Sequence, residues 1–314
     1  FKLSLAQTGW FWQNPKPTGD WIYDITYANT NTIYAIGKYG GFQKSTDGGV
    51  NWEHKYLIQQ EINSTKNTLC IDAPDTQNIY VLSAYFRLAQ NPVTSFLKSS
   101  DGGNVWTSSN IDSNNFYSDI KFINANTGYC YGTNILKTTN AGISWSKFSI
   151  NHNDTLYKLF FLNENTGWVT GSSKKLFKTT NSGITWSVYT ISNLTYESIP
   201  SFINENTGWF INGNTIYKTT NGGINFVNQG SSTFTIYDYK FLNEYTGFAQ
   251  TSTQIYITTN SGANWTANYY NAAAVNFLNG STGILGTTSG QFLNTTNTGT
   301  NWSSLGTPAL YNGD

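Results

Sequence analysis

The eight residues TTNSGITW (179–186) have six counterparts elsewhere in the chain. The shared order is Ser/Thr, Ser/Thr, Asp/Asn, any residue, Gly, two free positions and an aromatic ring. It appears again in STDGGVNW (45–52), SSDGGNVW (99–106), TTNAGISW (138–145), TTNGGINF (219–226), TTNSGANW (258–265) and TTNTGTNW (295–302). The third position falls on Asp47, Asp101, Asn140, Asn181, Asn221, Asn260 and Asn297, and the ring on Trp52, Trp106, Trp145, Trp186, Phe226, Trp265 and Trp302. Steps of 54, 39, 41, 40, 39 and 37 residues separate the copies. A fixed period near 40 marks a repeat architecture.

A second motif precedes most copies: FINANTGY (122–129), FLNENTGW (161–168), FINENTGW (202–209), FLNEYTGF (241–248) and FLNGSTGI (277–284), with weaker forms at 27–34 and 73–80. Each unit therefore reads alike. An apolar strand ends at Phe, an Asn-Thr-Gly turn follows, and a short second strand comes next. A third strand ends in Lys-Thr-Thr, and the eight-residue turn leads into a fourth strand opened by Trp. Four short antiparallel strands per 40 residues is the pattern of a propeller blade. The expected fold is all-β: a seven-bladed β-propeller of four-stranded antiparallel blades. Its blades are placed at about 21–57, 66–110, 115–150, 155–192, 196–230, 235–269 and 272–307, within a domain of 21–314 preceded by a leader of 1–20.

Composition agrees. The chain has 314 residues, 17 basic and 17 acidic, so its formal net charge is +0. A neutral chain lacks the field that holds a nucleic-acid backbone, and no apolar run is long enough for a membrane span. High aromatic content (16%) with few charges (11%) is the reverse of a disordered chain. Met is absent, which suggests a terminus made by cleavage, and hence export to the periplasm, the cell surface or the medium. Cys70 and Cys130 are too few for a disulfide scaffold, and whether they pair is left open. No metal site is expected, because the only histidines, His54 and His152, lie at no ligand-like spacing from a cysteine. No pattern calls for a cofactor.

The eight-residue pattern resembles the Asp-box (BNR) repeat of sialidases, sortilin-type receptors, xyloglucan-degrading enzymes and photosystem II assembly factors. The strings FINENTGW and KTTNGG and the leader WFWQNPKPTGD (10–20) are also similar to exported propellers of Bacteroidetes-like bacteria, and the resemblance reinforces the expectation of an exported protein. It implies the fold, but it carries over no active site. Sialidases grip a carboxylate with three arginines, and this chain has one, Arg87. The basic patch of the assembly factors, the cysteine-rich module of the receptors and the paired propellers of the xyloglucan enzymes are missing as well.

Within the box, the third residue is expected to accept turn N–H groups, Gly to supply an unusual φ, and the ring to plug between strands. Five of the seven boxes carry Asn, so a calcium role is not indicated. Candidate contact residues lie elsewhere. Blade 2 has long insertions at 54–68 and 84–96, and the second holds Tyr85, Phe86 and Arg87, an aromatic–cation set suited to a protein or glycan partner. Aligned on the Phe, the first strands put Asp24, Cys70, Asp119, Lys158, Ile199, Asp238 and Ala274 at one register facing the channel. Asp24, Asp119, Lys158 and Asp238 there are candidate ligands for a cation or a polar molecule; solvated channel polarity is the plainer reading. Asn63, Asn153, Asn193, Asn264, Asn279, Asn294 and Asn301 satisfy the glycosylation pattern.

The leader supplies one strand more than seven blades need. It could clasp blade 7, displace the C-terminal strand, or pair with a neighbouring molecule and build a filament by strand exchange. The functional expectation is a non-catalytic binding or structural module at the cell surface. The alternatives are a self-assembling filament subunit, and a polysaccharide-active hydrolase or lyase using Asp119, Glu197 or Asp238.

Overall fold

The computed structural model describes residues 21–305, apart from 38–39, 58–64, 87–92, 113–114, 133, 151–153, 196–197, 199 and 253. It is a seven-bladed propeller without helices among the described residues. Seven four-stranded antiparallel sheets cover 22–56, 65–112, 117–147, 156–190, 200–231, 238–270 and 272–304, and in each the strands lie side by side in chain order. The first strand of each sheet is innermost. The leader (1–20), and with it the clasp and filament alternatives, lies outside the described residues. The outermost place in blade 7 is held by Ser303–Ser304.

Two turns build one rim of every blade. The residue two after the strand-ending Phe, such as Asn124, Asn163, Asn204 or Asn243, accepts from the main-chain N–H groups two and three positions on. This Asx turn uses that earlier Asn, and not the Asn of Asn-Thr-Gly. The Gly that follows is required by contact: a Cβ on Gly208 would lie 2.3 Å from the ring of Phe202. The box then docks on this turn by a main-chain bond, as from Gly222 N–H to Asn206 O or Ser182 N–H to Asn165 O.

Inside the box, the first Ser or Thr oxygen accepts from the Gly N–H four residues on, at 2.8–3.0 Å in all seven copies. The third residue's Oδ1 accepts from the N–H four further, at 2.8–3.0 Å, whether it is Asp47 and Asp101 or Asn140, Asn181, Asn221, Asn260 and Asn297. The turn uses one neutral-capable acceptor, which is why Asn serves as well as Asp. Four boxes finish with the Trp indole N–H donating to the box Gly carbonyl: Trp52, Trp106, Trp186 and Trp265.

Blades join through rings. The aromatic after Asn-Thr-Gly stacks on the strand-ending Phe of the next blade, Trp168 on Phe202 at 3.6 Å and Trp209 on Phe241 at 3.8 Å, and Tyr80, at the equivalent place in blade 2, stacks on Phe122 at 3.5 Å. Lysines before the boxes seal the same seams, Lys44 reaching Gly102 O and Lys178 reaching Glu205 O in the following blade. The last seam closes without a shared strand among the described residues. Trp52 stacks on Phe292 at 3.9 Å, and Asn276 Nδ2 donates to Ile25 O at 3.0 Å. Cys70 and Cys130 are buried in one cluster as free thiols, and burial pushes both well above the ordinary thiol range.

Candidate functional site

The innermost strands are interrupted at a recurring place. Their register slips just before Asp24 in blade 1, before Cys70 in blade 2, beside Asp119 in blade 3, across Lys158 in blade 4 and before Ala274 in blade 7. A β-bulge frees an N–H and turns a side chain. In two of these blades an Asp caps the next N–H itself, Ile25 N–H donating to Asp24 and Ile120 N–H to Asp119; in blade 6, whose register runs unbroken, Tyr239 N–H donates to Asp238 in the same way, all at 2.7–2.8 Å. The aligned register is therefore a bulge position in five blades, and its three Asp residues have a structural task before any other.

A cavity of about 300 Å³ in the central channel is lined by residues of six blades, all but blade 2. Asp24, Asp119, Lys158 and Asp238 all line it. Cys70 and Ala274 instead turn into the packing between blades, and Ile199 is outside the described residues. Tyr131, Lys240, Gln250 and Asn276 join the lining, with Phe160, Phe248 and Val275 as its apolar wall. Sequence reading missed Lys240, although a signal existed: it stands two residues after Asp238, on the same face of a strand.

The three carboxyls differ in what they have left to offer. Asp24 spends its second oxygen on Ile71 N–H of the next blade, at 2.8 Å, and Asp119 spends its own on the Tyr131 hydroxyl. Asp238 keeps one oxygen open to the cavity, since Tyr239 N–H engages only the other. Burial in the channel wall pushes Asp24 up to about 8, against the pull of the Ile71 and Ile25 N–H groups, and pushes Asp238 up to about 6, with Asp119 across the channel adding to both. Asp119 is raised too, again by burial, held back by Tyr131 and Ile120. Water reaches Asp238, yet protein surrounds it, so ionising it costs what a narrow channel imposes rather than what an open surface would. Burial pushes Lys240 down, helped by Lys121 and opposed by Asp238.

A neighbouring cavity of about 360 Å³ shares Lys158 and Tyr239 and is lined further by Asn214, Ile236 and the exposed Tyr237. It lies at the rim of blade-to-blade connections, opposite the boxes. Among the described residues no group of three His, Cys, Asp or Glu is arranged to hold a metal ion, and no helix is long and apolar enough to cross a membrane.

None of the other described candidates is among the residues that line this cavity. Tyr85 and Phe86 end a strand of blade 2, Ile79–Phe86, while Arg87 lies outside the described residues, as do Glu197, Asn63 and Asn153. Part of the expected loops of blade 2 is strand: 65–68, 84–86 and 93–96 extend its sheet. Asn193, Asn264, Asn279 and Asn301 are exposed, and Asn294 is half-buried in a strand.

The sequence profile of the family described as Photosynthesis system II assembly factor YCF48 matches residues 97–239, under half of the chain. No curated protein matches in sequence. Solved propellers match in fold. A YCF48 bound to a D1 peptide superposes with a TM-score of 0.64 at 14% identity, covering 90% of this chain and 93% of that one. The GH74 xyloglucanase of Xanthomonas campestris gives 0.64 at 11% identity over 90% of this chain and 53% of its own. PorZ of Porphyromonas gingivalis gives 0.62 at 11% over 94% and 39%. This chain thus spans about half the xyloglucanase and two-fifths of PorZ. The likeness to BNR-type propellers read from the boxes is borne out at the level of fold.

Proposed function

We propose that this chain is a non-catalytic binding propeller, taking a protein or peptide partner at its central channel and the channel mouth between blades 4 and 6. The observation that carries the reading is the channel cavity, with Asp238, Lys158 and Lys240 on a wall that also offers apolar rings. Its volume sits at the small end of the roughly 300–1,000 Å³ usual for ligand sites. The YCF48 structure solved with a D1 peptide supports a peptide as partner, since it shows a propeller of this fold in that role. Glycoside hydrolysis needs two available carboxyls roughly 5–10 Å apart. Here Asp24 and Asp119 each have both oxygens engaged, which leaves Asp238 as the open carboxyl of the cavity among the described residues. A place at the cell surface belongs to the same proposal, in keeping with PorZ, described as a bacterial surface component.

Two measurements test it. Incubation with xyloglucan and a panel of other polysaccharides should release no product above that of Asp238→Ala; turnover lost in that variant would replace the binding reading with an enzymatic one. Binding to a peptide array should be saturable and should compete with soluble peptide. An array without a single saturable spot would remove the peptide partner.

A further inference from the structure

We propose that the channel cavity binds a compact zwitterion, a free amino acid or dipeptide with an apolar side chain, its ammonium on Asp238 and its carboxylate on Lys158 and Lys240. The inference rests on the channel being the binding site and names what enters it.

Three charged ends in one cavity lack a polar partner, the Lys158 ammonium lying only over the Tyr131 ring, 5.8 Å from its centroid. The second oxygen of Asp238 and the ammonium groups of Lys158 and Lys240 have no hydrogen-bond or ion-pair partner among the described residues, although all line the same 300 Å³. Other lysines are engaged: Lys121 with Asp72 at 2.7 Å and Lys218 with Glu244 at 3.1 Å across seams, and Lys175 with Asp154 at 2.9 Å within blade 4. Opposite charges that share a cavity without contact leave a gap that a molecule bearing both signs can bridge. A bare metal ion does not fit, because the carboxyls are not grouped as ligands. A simple anion would meet Asp238, and a simple cation the two ammoniums. The volume suits a ligand of one or two residues, and Phe160, Phe248 and Val275 receive an apolar side chain. Lys158 also faces the adjoining cavity toward Tyr237, which gives the ligand a way in from the rim.

Calorimetric titration of the full chain at pH 7.5 with leucine, Leu-Leu, N-acetyl-Leu-Leu and Leu-Leu-amide tests the assignment. Leu-Leu should bind, and either cap should weaken it roughly tenfold or more, the loss expected of a charge-assisted contact. Asp238→Asn keeps an acceptor for Tyr239 N–H, so the blade stays intact; it should weaken Leu-Leu and leave N-acetyl-Leu-Leu unchanged. The double variant Lys158→Met/Lys240→Met should do the converse with Leu-Leu-amide, at unchanged circular dichroism. Absence of binding by both leucine and Leu-Leu overturns the proposal, and so does binding that ignores the caps. Saturable peptide binding that survives Asp238→Asn and the double variant would leave the propeller a binding module while removing the zwitterion site.

Discussion

Ala141 and Gly142 stand side by side in the box of blade 3, both left-handed, at φ 58° and 80°. The sequence pattern treats the first as a free position and the second as obligatory glycine. The backbone explains the difference only in part, since both conformations disfavour side chains. Contact supplies the rest, because a Cβ on Gly142 would lie 2.3 Å from the ring of Phe96 in the preceding blade. Gly142→Ala should therefore cost roughly 2–4 kcal/mol, left-handed strain plus overpacking. Ala141→Gly should stay within about 1 kcal/mol of the parent and lean toward stabilisation. Urea unfolding midpoints decide it, and equal losses in the two variants would refute the contact argument. Residue identity here was legible; the neighbour that enforces it was not.

Between elements, one ring does several jobs. Trp168 is fully buried, stacks on Phe202 at an interplanar angle of 5°, and donates Nε1–H to Gly222 O of the neighbouring box at 3.0 Å. It binds a strand of blade 4 to both a strand and a turn of blade 5. Trp168→Ala is expected to cost about 3–5 kcal/mol. Trp168→Phe should cost about 1–2, losing the hydrogen bond while keeping most of the stack. A calorimetric melting curve for each variant checks the order; a negligible shift for Trp168→Ala would show that the seams are held elsewhere. The motif pointed to these aromatics as repeated features of a blade. That their partners sit one blade onward is a property of the ring, which no single repeat contains.

At the scale of the molecule, closure brings Asp24, Asp119 and Asp238 of blades 1, 3 and 6 to one axis. Asp238 holds its proton more tightly when folded, since its pKa rises from 3.8 to about 6. Between those values the folded chain binds more protons than the unfolded one, so stability falls as pH rises through that window. Asp238→Asn removes this contribution. Its urea midpoint should decline less between pH 4 and pH 7 than the parent's, and parallel curves would show that the carboxyl is not perturbed. Sequence alone determined the seven units, their four strands and the turn residues, because each is specified by side chains within eight residues acting on their own backbone. It also placed Asp24, Asp119, Lys158 and Asp238 at a common register. Tertiary structure decided which of these retain an open charge, because that depends on hydrogen bonds from neighbouring strands and blades. Asp24 is occupied by Ile71 of blade 2 and Asp119 by Tyr131 of its own blade, while Asp238 meets no such donor.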